Sequence, residues 1–131
     1  MTASTLLLIV EDNVHNLKLA RDVLGHVGYA TVEARDGEEA VELARARQPD
    51  MILMDIQLPG MDGLETLARL RADPATAAIP AVAFTAFAMK DDRERFLAAG
   101  FHGYVEKPIS VREFPAQVAA LLASAAVREG T

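Results

Sequence analysis

Five short apolar runs alternate with five stretches of helical periodicity along this 131-residue chain, and that alternation limits the fold more than any other feature. The runs cover 6–10, 30–34, 51–54, 81–84 and 103–105. Between them, Leu17, Ala20, Leu24 and Val27 share one face of a first predicted helix, and Ala40, Val41 and Ala44 one face of a second. Leu64, Leu67 and Leu70 mark a third, Phe96, Leu97 and Ala99 a less regular fourth, and Val118, Leu121 and Leu122 a fifth. Strict β/α alternation calls for parallel strands joined by right-handed crossovers, with helices on both faces. Nearly continuous apolar strands suit a sheet buried on both sides. The predicted fold class is therefore α/β, a doubly wound five-stranded parallel sheet.

Local signals agree with these elements. Asp36-Gly-Glu-Glu39, Asp62-Gly-Leu-Glu65 and Ser110-Val-Arg-Glu113 each fit a capping box, an oxygen-bearing cap with Glu three residues on. Gly28 and Gly100 stand where helices should end in a left-handed residue. Pro115 would remove an early hydrogen bond if Ser110 capped the last helix, so that helix should begin irregularly or nearer Pro115. The chain reads as one domain over 1–131, with its core at about 6–122 and 124–131 as a frayed tail.

Composition excludes several classes. A net charge of -6 with no basic run argues against direct nucleic-acid binding. With no cysteine there are no disulfides, thiolate metal sites or cysteine nucleophiles. No signal peptide is recognisable, and no stretch approaches the roughly 20 apolar residues of a membrane span. A cytoplasmic location without membrane insertion is expected.

The polar residues that carry chemistry fall at the carboxyl ends of the predicted strands, where open α/β sheets bind ligands. Glu11 and Asp12 follow the first strand, Asp55 the third, Thr85 the fourth and Lys107 the fifth. In a strand order 2-1-3-4-5 the first and third strands are neighbours about 4.8 Å apart, which brings Glu11, Asp12 and Asp55 into one cleft. Three such carboxylates repel one another and need compensation. A hard divalent cation with oxygen ligands, Mg²⁺, supplies it, whereas Zn²⁺ is disfavoured without accompanying His or Cys. Asp55 is then the candidate nucleophile toward phosphorus, with Lys107 and Thr85 placed to meet phosphoryl oxygens. Taken singly, each residue has a plainer reading: Glu11 and Asp12 as helix caps, Asp55 as a turn former, Thr85 as a strand end, Lys107 as a solvated charge. Their joint placement favours the site.

These residues carry a resemblance. Glu11-Asp12, the run Ile52-Leu-Met-Asp55-Ile-Gln-Leu-Pro59-Gly-Met-Asp-Gly63, Thr85-Ala86 and Lys107-Pro108 resemble the receiver domain of two-component response regulators over about 6–122. Longer matches at Ile9–Asn13, Met51–Pro59, Thr85–Lys90 and Lys107–Ser110 resemble the single-domain regulators of bacterial cell division and polarity within that family. The resemblance implies a flavodoxin-like (βα)5 receiver fold. It implies a signalling protein rather than an enzyme, with Asp55 taking a phosphoryl group from a histidine kinase or histidine phosphotransfer protein. It further implies Mg²⁺ held by Asp12 and Asp55, by Glu11 through water and by the Gln57 carbonyl, with Thr85, Lys107 and the Ala86 backbone at the phosphoryl group. Lys107–Pro108 should be cis, and Tyr104 should couple to Thr85 as a switch, packing being the alternative. The output would be contact with a downstream protein, by a monomer or a weak phosphorylation-dependent dimer.

Two rivals remain. A HAD-type phosphohydrolase also uses an Asp nucleophile and Mg²⁺, but it places a second Asp where this chain has Gln57. A phosphate sink, or the receiver of a hybrid kinase, would share every motif. His15, His26 and His102 read as surface or helix-end residues, His15 being near enough to the acids to touch a partner, while Met51, Met54 and Met61 read as packing. Phe87 and Met89 follow Thr85 in a loop, where exposure suggests a partner surface and core packing is the alternative. In the resembled family the positions of Gln57 and Phe87 tune the lifetime of the phosphoryl group. A bulky Phe87 should shield it from water, so self-dephosphorylation is expected over hours. Loss of label within a minute in Mg²⁺ buffer would contradict this.

Overall fold

The computed structural model describes residues 5–86 and 89–129, with side chains as far as Ala125. The elements alternate without exception: β1 (Leu6–Val10), α1 (Val14–His26), β2 (Ala30–Ala34), α2 (Gly37–Arg47), β3 (Met51–Asp55), α3 (Gly63–Ala72), β4 (Ala81–Thr85), α4 (Lys90–Ala99), β5 (Gly103–Glu106) and α5 (Phe114–Glu129). The five strands form one parallel sheet in the order β2-β1-β3-β4-β5. The central strands β1, β3 and β4 are buried almost throughout, which is why they are written as unbroken apolar runs.

Alternate residues of each strand face opposite layers. Leu8, Val10, Ile52, Met54 and Ala83 join Leu67, Leu70, Phe96 and Phe101 on one side. Leu7, Ile9, Leu53 and Phe84 join Leu17, Leu24, Phe114 and Val118 on the other. Asp36 Oδ1 accepts from the Glu39 N–H at 2.8 Å and Asp62 Oδ1 from the Glu65 N–H at 2.8 Å, as the capping boxes predict. The reciprocal bond of the first box goes one residue further back, with Glu39 Oε1 accepting from the Arg35 N–H at 2.7 Å.

Several expectations change. Asp55 and Thr85 are the last residues of β3 and β4, because strand pairing extends to Asp55↔Phe84 and Thr85↔Glu106. Val27 is not on the buried face of α1: the helix stops at His26 and Val27 is 50% exposed. In α4, Leu97 and Ala99 turn outward and Phe96 is the one buried residue among those described. The segment 124–131 is not a frayed tail as far as it is described, since α5 continues to Glu129 and Ala125 is buried. α5 does begin late, at Phe114, after a turn in which Ser110 Oγ accepts from the Glu113 N–H at 3.2 Å. Gln48 ends α2 in the left-handed region at φ 49°, a position that no glycine announced.

Phe96 packs edge-on against Phe101, with ring centroids 6.2 Å apart. It is the residue through which α4 reaches the core. Phe96→Ala should cost about 3–5 kcal/mol of unfolding free energy in urea titration, whereas Leu97→Ala should cost well under about 1 kcal/mol.

Candidate functional site

The parallel register carries four strand ends to one edge of the sheet. Val10 pairs with both Ala34 and Met54, so Glu11 and Asp12 emerge beside Asp55, the next residue of β3. Glu11 is held in place by its own backbone, its N–H donating to the Ala34 carbonyl at 3.0 Å. One carboxylate oxygen from each of Glu11, Asp12 and Asp55 lies within 4.8 Å of the others. Glu11 is fully buried, Asp55 is 5% exposed and Asp12 faces solvent.

Lys107 enters this group from β5. Its Nζ donates to Glu11 Oε1 at 2.8 Å and to Asp55 Oδ2 at 3.1 Å. The Lys107 N–H donates to the Thr85 carbonyl at 2.8 Å, and the Lys107–Pro108 bond is cis. Beneath the ammonium, at 5.2 Å, lies the face of the Phe84 ring, which stacks on Phe114 of α5 at 6.0 Å. The cation is thus set by two carboxylates above and an aromatic face below. Two backbone amides complete the acids' partners: Gln57 N–H donates to Asp55 Oδ1 at 3.0 Å, and Asn13 N–H to Glu11 Oε2 at 3.2 Å.

Burial pushes the Glu11 carboxyl above its ordinary 4.5, the nearby Asp55 adds to the rise, and Lys107 offsets only part of it. For Lys107, burial pulls the ammonium down, but the bond to Glu11 and the charge on Asp55 outweigh it and hold the group above its ordinary 10.5. Three carboxylates face one ammonium, so negative charge is in excess at a cleft whose two inner acids, Glu11 and Asp55, are buried. The donor set is oxygen only, which suits a hard divalent cation such as Mg²⁺ and not zinc.

The remaining predicted residues sort around this centre. Thr85 is buried at the end of β4, and Ala86 follows it at the surface. Tyr104 is half-buried against the first core layer with the Arg93 guanidinium 5.0 Å over its ring. Met89 is 76% exposed at the start of α4, while Phe87 lies outside the described residues. His15 and His26 are exposed, and His102 Nε2 is 2.7 Å from Ser124 Oγ at the opposite end of the sheet. Met51 and Met54 are core.

Sequence reasoning missed two supports of the site. Phe84 was legible only as a strand residue. Gly63 opens α3 where a Cβ would lie 2.6 Å from the Asp55 carbonyl oxygen and 2.8 Å from the Ile56 Cα, so no side chain fits without moving the backbone beside Asp55. A glycine in the first turn of a helix is a poor helix former, and that was the available signal.

Sheet order, strand-end acids and the lysine clamp together define a receiver, and the chain belongs to the response regulator receiver domain family, whose model matches residues 7–119. It is 51% identical over 107 residues to the polar-differentiation response regulator DivK of Brucella anthropi, covering 82% of this chain and 87% of that protein. DivK of Brucella abortus matches to the same extent. Among solved structures, the receiver domain of a sensor histidine kinase from Pseudomonas aeruginosa is similar at TM-score 0.83 and 34% identity, covering 92% of this chain and 99% of that one. That structure has a magnesium ion coordinated in its active-site cleft. The chemotaxis response regulator CheY4 of Vibrio cholerae shares the fold at TM-score 0.85 and 23% identity, covering 91% of this chain and 99% of that one.

The raised Glu11 carboxyl sets the sign of a pH effect. Its folded state binds the proton more tightly than the unfolded chain, so its stabilising contribution is present below about 4.5 and is lost as pH rises through the raised value. Without divalent cation at neutral pH, Glu11→Gln should therefore raise the melting temperature. The difference should close as the pH is lowered toward 4.5, which a melting series across pH would check.

Proposed function

We propose that this protein is a single-domain phosphorylation switch in which Asp55 accepts a phosphoryl group from a phosphohistidine on a kinase or phosphotransfer protein. The observation that carries the reading is the lysine clamp: Lys107 Nζ lies 2.8 Å from Glu11 and 3.1 Å from Asp55. It leaves Asp55 at the centre of the acidic cleft with Oδ1 fixed by the Gln57 amide. Asp12 and Asp55, Glu11 through water and the Gln57 carbonyl would hold Mg²⁺, which when bound supplies positive charge against the carboxylates and the phosphoryl oxygens.

The chain's own residues do the rest. An Asp55 carboxylate oxygen forms the new bond to phosphorus while the bond from phosphorus to the imidazole nitrogen breaks, and the imidazole leaves with the electron pair. Lys107, already bonded to Asp55, meets a phosphoryl oxygen as charge moves onto the group. The Thr85 hydroxyl and the Ala86 N–H serve the other oxygens. Tyr104, half-buried between core and Arg93, couples Thr85 to the surface of α4 and β5. α4 is held by one core residue, so it is the element least costly to move. Met89 at its exposed start forms part of the partner surface.

The likeness to DivK supports a role in cell-division or polarity control, exerted in the cytoplasm through protein contacts. A phosphohydrolase reading is disfavoured because Gln57 stands where a second acid would be needed. Phosphotransfer from a labelled histidine kinase in Mg²⁺ should label the wild type and leave Asp55→Ala unlabelled. Equal labelling of the two would refute the assignment.

A further inference from the structure

Arg35 stands at the rim of the acidic cleft, opposite Lys107. It follows β2, whose last residue, Ala34, is tied to the site through the Glu11 N–H at 3.0 Å. The Arg35 N–H is bonded to Glu39 Oε1 at 2.7 Å, and the next residue, Asp36, caps α2. Its backbone is therefore fixed on both sides, and the side chain alone can move. That side chain is exposed, and Nη2 lies 3.5 Å from the Asp12 carbonyl oxygen.

Arg21 pairs with Asp22 and Glu33, Arg45 with Asp73, Arg95 with Asp92, and Lys107 with Glu11 and Asp55. Among the described residues no carboxylate lies within 4 Å of the Arg35 guanidinium. In a chain of net charge -6, a dianionic phosphodonor approaching three carboxylates meets repulsion, and Lys107 is 14% exposed and already engaged on the β5 side. A guanidinium at the β2 side offers a planar fork matched to two phosphoryl oxygens. Its field reaches solvent over about a Debye length, roughly 8–10 Å at ordinary ionic strength.

We infer that Arg35 is a phosphodonor-contacting residue: from the rim beside Asp12 it draws in and grips the phosphoryl group of the incoming donor on the side away from Lys107. The inference rests on Asp55 being the phosphoacceptor. It adds a recognition element supplied by the β2–α2 junction.

The test uses acetyl phosphate as a small anionic donor at saturating Mg²⁺. There, the Asp55–phosphorus bond forms, the phosphorus–oxygen bond to the acetyl group breaks, and acetate leaves with the electron pair. Arg35→Ala should lower the second-order phosphorylation rate constant about threefold to tenfold and flatten its dependence on salt, with an unchanged melting temperature. Arg35→Lys should recover part of the rate, since it keeps the charge and loses the fork. Arg47→Ala, which removes an exposed charge at the far end of α2, should match the wild type. A rate for Arg35→Ala equal to wild type overturns the inference and leaves Asp55 standing. So does a faster rate, which would mean that the arginine acts by repelling the metal. An equal loss in Arg47→Ala also overturns it, by reducing the effect to net charge. Failure of the wild type to be labelled at Asp55 removes both this inference and the reading beneath it.

Discussion

Two buried carboxylates on adjacent strands share a single ammonium, and the functional edge of the sheet is arranged around that contact. Glu11 and Asp55 come from β1 and β3, and Lys107 reaches them from the far side of β4. Desolvating such charges is costly, and their attraction repays it only when the geometry is tight and the other lone pairs are satisfied. The Asn13 and Gln57 amides satisfy them here, and the Phe84 ring closes the site from below. The cluster still carries more negative than positive charge, and this is the physical reason that it suits a divalent cation and an incoming anion rather than a closed structural network.

The surrounding fold supplies rigidity unevenly. β1, β3 and β4 lie between two apolar layers, so the acids are mounted on the least deformable part of the molecule. α4 differs: it has no side-chain cap, a mostly polar sequence and Phe96 as its one described buried residue. A rigid chemical centre beside a lightly anchored helix is the arrangement that lets a local charge event alter a surface.

Much of this was legible in the residues. Unbroken apolar runs and period-3.6 patterning separated the elements, because the strands of a two-sided sheet bury nearly every residue while a helix buries one face. The acids and the lysine were legible through their joint placement after apolar strands, since each alone has an ordinary reading as a cap, a turn former or a solvated charge. The errors fall where burial is decided by neighbours distant in sequence. Val27 and Leu97 are apolar and fit the periodicity read from the sequence, yet each is about half exposed: α1 stops before Val27, and α4 turns Phe96 rather than Leu97 inward. The segment after Ser124 looked like a tail from composition, but α5 continues to Glu129 and Ala125 is buried.

The sequence by itself determined the number and kind of elements, their parallel arrangement and the residue types at the chemical edge, since these follow from local periodicity and from connection rules that leave few topologies. Tertiary structure alone decided that Lys107 bridges Glu11 and Asp55, that Phe84 underlies the ammonium, that Gly63 makes room beside Asp55, and that the Arg35 guanidinium reaches the Asp12 carbonyl at the rim of the cleft. Each of these joins residues far apart in the chain at distances of a few ångströms. Strand register fixes such distances, and no pattern along one strand records them.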